Sequence, residues 1–211
     1  MSLIHDDSMF KEDSILERSR KHGLANPLAV EMFLWDIEVS AQLQSLDDRL
    51  VLKGGAAAQL FLPLEKQRGS TDIDLKSTPS STEQDISNVM SQLGKRLPSL
   101  SLERHNPAAP NPKLPLVTYL VRVNSALRDM NGRTLEIKAD ILLREPELPT
   151  VVVENRPTFA LDVKRMRVPT LGTSIGDKLL TIAKESVGMA REEDYPKQMY
   201  GRPKKPIDMT V

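Results

Sequence analysis

The chain has 211 residues, and its 29 Lys and Arg side chains are balanced by 29 Asp and Glu side chains. A neutral chain has no overall field that attracts nucleic acid, so an RNA contact would need a local basic patch. The absence of cysteine excludes disulfides, thiolate zinc sites and cysteine nucleophiles. No apolar run reaches the roughly 20 residues of a membrane span, and the polar N-terminus does not resemble a signal peptide. We therefore expect a cytoplasmic protein without membrane attachment.

Two helices are predicted in the first quarter of the chain. Residues 11–22 favour a helix that ends at Gly23, and Asn26-Pro27 is typical of the N-cap and first position of another. Apolar residues then recur at helical spacing, which predicts a second helix that packs on the core. These residues are Met32, Trp35, Val39, Leu43 and Leu46.

The most informative stretch runs from Leu50 to Leu75. A short apolar run ends at Lys53, and Gly54-Gly55 opens a helix-forming segment that Pro63 ends. Residues 71–76 then predict a strand. Its alternation places Ile73 and Leu75 on one face and Asp72 and Asp74 on the other.

The rest of the chain predicts a mixture of strands and helices. Ser81 to Gln84 resembles a capping box at the start of an amphipathic helix, and the proline-rich stretch 98–115 predicts a loop. Antiparallel strands are predicted at 116–123 and 134–143 around an Asn131-Gly132 turn. Short strands at 151–153 and 159–163 and a helix at 174–187 follow.

These elements predict an α/β fold, or α+β by a stricter naming, with a short mixed sheet flanked by helices. We expect N-terminal helices over 1–48, a catalytic core over 49–170 and the incomplete start of a C-terminal helical region over 171–211. The three histidines (His5, His22 and His105) are far apart and lack the spacing of metal ligands.

Three aspartates have the pattern of a magnesium site. Asp72 and Asp74 share a strand face, and Asp140 lies on the polar face of the next well-defined strand. Magnesium prefers oxygen ligands and binds through a few carboxylates together with phosphates. Transfer of a nucleotide from a triphosphate uses such cations to stabilise charge. The backbone of Gly54-Gly55 and the hydroxyl of Ser70 would contact the phosphates.

Each motif is weak when taken alone. An Asp-x-Asp pair is common, Gly-Gly before a helix is equally unspecific, and Asp140 would also suit a solvated strand position. The order of the three motifs carries the signal: an apolar run with Gly-Gly, then Ser-x-Asp-x-Asp, then a strand with one aspartate on its polar face.

This order resembles the polymerase-β-like nucleotidyltransferase superfamily, and in detail its AbiEii/AbiGii-type toxin branch. The resemblance lies in Leu52 to Ala58, Arg68 to Leu75 and Lys138 to Ile141, with looser matches at Gly176 to Leu180 and Arg202 to Asp208. Ala56 stands where the family pattern has threonine. The family continues into a larger C-terminal helical region beyond the length of this chain.

The resemblance implies a nucleotidyltransferase that uses an NTP and Mg²⁺ or Mn²⁺. It implies Asp72, Asp74 and Asp140 as metal-binding catalytic residues and Lys178 as a cation that neutralises the triphosphate; an amphipathic helix also accounts for Lys178. Cofactor-binding positions follow the same motifs. They are Lys53, Gly54, Gly55, Arg68, Ser70 and Lys138. Lys138 would pair either with Asp140 or with phosphate, and Arg68 either with phosphate or with an acidic side chain.

Within that branch the expected acceptor is a tRNA or another RNA end, and the expected partner is a cognate antitoxin. Basic clusters at Lys164-Arg165-Arg167 and Arg202-Lys204-Lys205 would suit an RNA backbone or simply a solvated surface. Two alternatives stay open. One is transfer to a hydroxyl of a small molecule or a protein, and the other is a catalytically silent binding module that keeps the fold.

Overall fold

A computed structural model describes residues 3–78, 80–106, 115–128, 133–143 and 148–182 of the chain. It divides into two compact units, Met1–Ser174 and Ile175–Val211. The first unit contains all the described strands and four of the five helices, and the last helix crosses the boundary. The predicted Asn131-Gly132 turn and the tail after residue 182 lie outside the described residues.

The predicted helices are present. They are α1 (Glu12–Lys21), α2 (Pro27–Leu46), α3 (Gly54–Gln59), α4 (Glu83–Arg96) and α5 (Leu171–Ile182). Helix α5 begins earlier than predicted because Thr170 accepts hydrogen bonds from the backbone N–H groups of Thr173 and Ser174. Residues 183–187 of that predicted helix lie outside the described residues. None of the described helices is long and apolar enough to cross a membrane.

Helix α2 begins as predicted, with the Asn26 side chain accepting a hydrogen bond from the Leu28 N–H and with Pro27 in the first position. It is buried on every side through its middle turns, not along one stripe. Phe33 stacks on Phe159 at 4.9 Å between ring centres. Trp35 packs on Phe10 at 4.8 Å. The helix is therefore the centre of the hydrophobic core.

Helix α4 starts one residue later than the predicted capping box. Its N-cap is Thr82, whose hydroxyl accepts from the Asp85 N–H, while the Asp85 carboxylate accepts from the Thr82 N–H. The Ser81 hydroxyl instead bonds with Ser77 in the preceding turn. Because Asp85 is shorter than the expected Glu or Gln, sequence reasoning placed the box in the wrong register.

Five strands form a mixed sheet in the order β1-β2-β5-β4-β3. The strands are β1 (Val51–Lys53), β2 (Asp72–Lys76), β3 (Ser101–His105), β4 (Leu116–Asn124) and β5 (Thr134–Leu142). Strands β2 and β5 pair in parallel, and all the other pairs are antiparallel. The predicted antiparallel pairing of β4 with β5 is confirmed.

The prediction of a loop over 98–115 is wrong in part, because residues 101–105 form β3. This strand lies at the sheet edge and contains a single apolar residue, Leu102. Ion pairs hold it in place: Arg104 contacts Glu83 at 3.0 Å, and Arg122 of β4 contacts Glu103. Such an edge strand lacks the apolar alternation on which strand prediction depends.

A separate hairpin contains β6 (Thr150–Pro157) and β7 (Asp162–Pro169). The short strand predicted at 159–163 is displaced, since Phe159 lies in the turn and the strand starts at Asp162. The turn residues Phe159, Ala160 and Leu161 are buried and belong to the hydrophobic core. The hairpin packs against β1 and α2. Its tip thus closes one side of the core.

Candidate active site

Three neighbouring strands bring one residue each into a cross-strand row. In the β1–β2 pair Lys53 stands opposite Asp74, and in the β2–β5 pair Asp74 stands opposite Asp140. Directly opposite residues project from the same sheet face with neighbouring Cβ atoms. The row Lys53–Asp74–Asp140 therefore places one cationic and two acidic side chains side by side. Two residues earlier on both strands, Asp72 stands opposite Lys138, and this acidic and basic pair projects from the same face.

The face opposite this row is apolar, as the alternation predicts. Ile73 and Leu75 of β2 are fully buried, and so are Ala139 and Ile141 of β5. Asp72 is exposed, whereas Asp74 and Asp140 are half-buried. The core thus fixes the strand register that aligns the acidic side chains.

The start of α3 lies directly against Asp74. Gly54 has φ of +68°, a conformation that favours glycine. A Cβ atom added at Gly54 would lie 2.0 Å from the Asp74 Oδ2. Glycine is therefore required at this position for two separate reasons. Its backbone conformation favours glycine, and Asp74 occupies the space of a side chain.

Gly55 and Ser70 are also neighbours. A Cβ atom at Gly55 would lie 3.2 Å from the Ser70 Oγ, and this hydroxyl donates to the Asp72 carbonyl at 3.2 Å. Buried Gln59 links the two segments, because its side chain donates to the Gly55 carbonyl at 3.1 Å and accepts from the Arg68 N–H at 2.7 Å. Sequence reasoning did not single out Gln59, whose only signal is its place in the short helix.

Two side chains hold the Asp140 carboxylate. Lys138 Nζ donates to Oδ2 at 2.6 Å, and the Thr118 hydroxyl of β4 donates to Oδ1 at 2.7 Å. Of the two partners considered for Lys138, the structure shows Asp140. The contact follows from the two-residue spacing of the strand, which places both side chains on one face.

A further aspartate near the site escaped prediction. Asp36 of α2 is fully buried, and neither carboxylate oxygen has a hydrogen-bond partner among the described residues. Burial raises its pKa well above the ordinary value, and the negative charges of Asp72 and Asp74 raise it further. The only sequence signal is an acidic residue inside the apolar run from Phe33 to Ile37.

The sequence matches the family described as nucleotidyl transferase AbiEii toxin of type IV toxin–antitoxin systems, over residues 39–202. The chain belongs to the AbiEii family. Its activity class is accordingly nucleotidyl transfer, and membership implies use of an NTP and an antitoxin partner. No curated protein matches the chain.

The AbiEii membership agrees with the resemblance seen in the three motifs, and the matched range includes the whole cross-strand row. The mixed sheet flanked by helices is consistent with a nucleotidyltransferase-like fold. The family match assigns no role to individual residues, so the roles expected for the site residues stay predictions.

The donor atoms of the site suit a divalent cation. Carboxylates at Asp72 and Asp74 are the hard oxygen ligands that Mg²⁺ and Mn²⁺ prefer. Among the described residues, no three His, Cys, Asp or Glu side chains are already arranged to hold a metal. Asp140 is engaged by Lys138 and Thr118, so its use as a ligand would require this contact to open.

The remaining predicted residues lie in several places. Arg68 is exposed just before Ser70, and Lys178 is exposed on α5 in the second unit. In the first basic cluster, Lys164 donates to the Ile4 carbonyl, and Arg167 donates to the Asp48 carbonyl at 2.8 Å. These contacts favour a structural use of that cluster. The second cluster, at 202–205, lies outside the described residues.

Proposed function

We propose that this chain transfers a nucleotide from an NTP to the end of an RNA, with tRNA as the acceptor, and that the reaction depends on Mg²⁺ or Mn²⁺. The observation that supports it best is the cross-strand row Lys53–Asp74–Asp140 beside the close contact of Gly54 with Asp74. Family membership supplies the reaction class. The RNA acceptor rests on resemblance to the branch that modifies tRNA ends.

Asp72 and Asp74 hold the cation in this proposal, and Asp140 completes the site. The bound cation supplies positive charge that stabilises the triphosphate during transfer. Gly54 and Gly55 allow the backbone to approach the β- and γ-phosphates without hindrance from a side chain.

Cationic side chains contribute to phosphate binding in this proposal. Lys53 lies in the row, Lys138 is held by Asp140, and Arg68 precedes Ser70 in sequence. Each neutralises part of the triphosphate and so favours its binding.

The chemical step forms one bond and breaks another. The acceptor hydroxyl oxygen bonds to the α-phosphorus, the bond to the bridging oxygen of the β-phosphate breaks, and pyrophosphate leaves. Asp140 takes the proton of the attacking hydroxyl in the proposal. Lys138 and the Thr118 hydroxyl hold this carboxylate in place.

The test is incubation of the chain with total tRNA, Mg²⁺ and each NTP labelled in its α-phosphate, beside Asp72→Ala. A matched control is Asp162→Ala, which removes an exposed aspartate from the separate hairpin. Label should appear on tRNA with the parent chain and with Asp162→Ala, and should vanish with Asp72→Ala.

Other outcomes separate the alternatives. Binding of NTP without label on any tRNA would reject the RNA acceptor and favour a hydroxyl of a small molecule or a protein. Failure to bind any NTP in the presence of Mg²⁺ would favour the silent module. Full transfer by Asp72→Ala would reject the proposed role of this carboxylate.

A further inference from the structure

Gln59, the last residue of α3, has a buried side chain that joins two segments of the candidate site. Its Nε2 donates to the Gly55 carbonyl at 3.1 Å, and its Oε1 accepts from the Arg68 N–H at 2.7 Å. A backbone carbonyl only accepts and a backbone N–H only donates, so these two contacts fix the orientation of the carboxamide. Both of its polar ends are therefore used, as a buried amide requires.

The backbone at Arg68 lies outside the helices and strands. The pairing of β2 with β5 begins only at Asp72, so the sheet does not hold Arg68 in place. The hydrogen bond to Gln59 spans nine residues of sequence and ties this stretch to α3. Ser70 follows two residues later, and its Oγ would lie 3.2 Å from a Cβ atom at Gly55. The Gln59 side chain thus joins the two segments close to the point where they meet.

A second glutamine holds the same stretch through different contacts. The Gln67 side chain donates to the Leu62 carbonyl at 3.0 Å and accepts from the Phe159 N–H at 3.1 Å. These contacts lead to the turn of the β6–β7 hairpin, whereas those of Gln59 lead to the glycine pair. The two residues therefore separate a role in the site from a general role in holding the chain between α3 and β2.

We propose that Gln59 is a positioning residue for NTP binding, because its carboxamide fixes the spacing between Gly54-Gly55 and Ser70. This inference rests on the proposed function, in which the glycines approach the phosphates, and on the predicted contact of the Ser70 hydroxyl with them. Segments that are already held at the right spacing lose little freedom when the triphosphate binds, so the affinity is higher. Gln59 acts through the two backbone groups that it holds.

The test measures the affinity of the parent chain, Gln59→Met and Gln67→Met for ATP, GTP, CTP and UTP in turn, each with Mg²⁺, by calorimetry. Methionine keeps the approximate length of glutamine and loses both hydrogen bonds. We expect Gln59→Met to weaken NTP binding by at least about 10-fold, because the segment before β2 is no longer held against the glycines. The matched control Gln67→Met should bind the NTP with the parent affinity.

Steady-state labelling of tRNA separates positioning from a general loss of structure. Gln59→Met should raise KM for the NTP while kcat stays near the parent value, since the loss affects binding of the ground state and transition state alike. A fall in kcat without a change in KM would overturn the inference.

Hydrogen exchange at the Arg68 N–H gives a readout that does not depend on activity. Without nucleotide, this N–H should be protected in the parent chain and in Gln67→Met, and it should lose protection in Gln59→Met. Equal protection in the parent and Gln59→Met would overturn the inference. An equal loss of NTP affinity in Gln67→Met would also overturn it, because the effect would then come from loosening of the whole stretch.

Gln59→Asn is the second variant if Gln59→Met does not keep the native circular dichroism. It keeps a carboxamide, but its side chain is one methylene shorter and cannot keep both contacts, so it should likewise weaken NTP binding. Loss of folding in both variants would overturn the inference, because Gln59 would then be needed by the core itself.

The parent chain distinguishes this failure from failure of the proposed function. If the parent binds none of the four NTPs, the proposed function is rejected and this inference falls with it. If the parent binds an NTP and both Gln59 variants bind it equally well, only the role of Gln59 is rejected.

Discussion

The Gly54 backbone and the Asp74 carboxylate are in such close contact that no side chain fits between them, since a Cβ atom at Gly54 would lie 2.0 Å from Oδ2. This contact fixes the carboxylate against the first turn of α3. It also makes Gly54 a sensitive probe of the site, because any replacement must displace either the strand or the short helix.

We expect Gly54→Ala to lower the free energy of unfolding by about 2–3 kcal/mol and to abolish nucleotide transfer. Alanine is strained at φ of +68° and would also push Asp74 out of the cross-strand row. Urea denaturation and the tRNA labelling assay measure the two effects.

Gly23→Ala is the matched control for this prediction. Gly23 has φ of +63°, but a Cβ atom there meets nothing within 4 Å. It should cost only about 1 kcal/mol of stability and should leave transfer intact. Equal activity in the two variants would show that displacement of Asp74 does not matter.

Lys138→Gln tests the ion pair with Asp140. The variant removes the charge 2.6 Å from the Asp140 Oδ2 and leaves the strand unchanged. We expect kcat/KM for the NTP to fall about 10-fold, mainly through KM, because a cation near the triphosphate is lost. Steady-state kinetics with varied NTP measure the change.

Arg122→Gln is the control for Lys138→Gln. Arg122 pairs with Glu103 and Glu136 along the same sheet, away from the cross-strand row. This variant should retain the parent KM. If Arg122→Gln raised KM as much as Lys138→Gln does, the rise would come from the loss of any positive charge on the sheet and not from the position of Lys138.

Glu38 should make the fold sensitive to acid. Burial alone raises the pKa of Glu38, but hydrogen bonds from His5, Ile4 and Gln42 outweigh it and hold the pKa below its ordinary value. A carboxyl with a lowered folded-state pKa adds stability above its unfolded pKa, and this contribution is lost as the pH falls through the folded-state pKa. The free energy of unfolding should therefore decline in acid.

We expect Glu38→Gln to lose about 2 kcal/mol at neutral pH and to show a shallower decline in acid than the parent chain. Urea denaturation over a series of pH values measures both effects. Glu17→Gln, at an exposed position of α1, should follow the parent curve. Identical slopes for Glu38→Gln and the parent would contradict the prediction.

The Phe33–Phe159 stack should be the main anchor of the β6–β7 hairpin. The two rings are almost fully buried and nearly parallel at 17°. We expect Phe159→Ala to cost about 3–5 kcal/mol, whereas Leu62→Ala at an exposed position should cost under about 0.5 kcal/mol. Thermal unfolding measures both. A cost for Phe159→Ala below about 1 kcal/mol would show that the hairpin is held by other contacts.

Much of the site was predictable because strand alternation is a local property. The two-residue period placed Asp72 and Asp74 together and separated them from Ile73 and Leu75, as the burial shows. Gly54-Gly55 was also visible, and its position before the Ser-x-Asp-x-Asp motif gave it weight. The family resemblance rested on these same local patterns.

The remainder depends on tertiary contacts that no local pattern encodes. The parallel pairing of β2 with β5 brings Asp74 opposite Asp140, and only the folded sheet sets that register. Asp36 was not singled out because the apolar spacing predicts a single buried stripe on α2, whereas this helix is buried on every side through its middle turns. Strand β3 escaped because ion pairs, not apolar burial, hold it.

The parallel β2–β5 pair has a consequence for synthesis of the protein. The central strand of the sheet is β5, which leaves the ribosome after β1, β2, β3 and β4. Until it emerges, β2 has no partner on that side, and Asp140 does not yet exist in the chain. A growing polypeptide therefore cannot form the Lys53–Asp74–Asp140 row until β5 has been synthesised and has paired with β2.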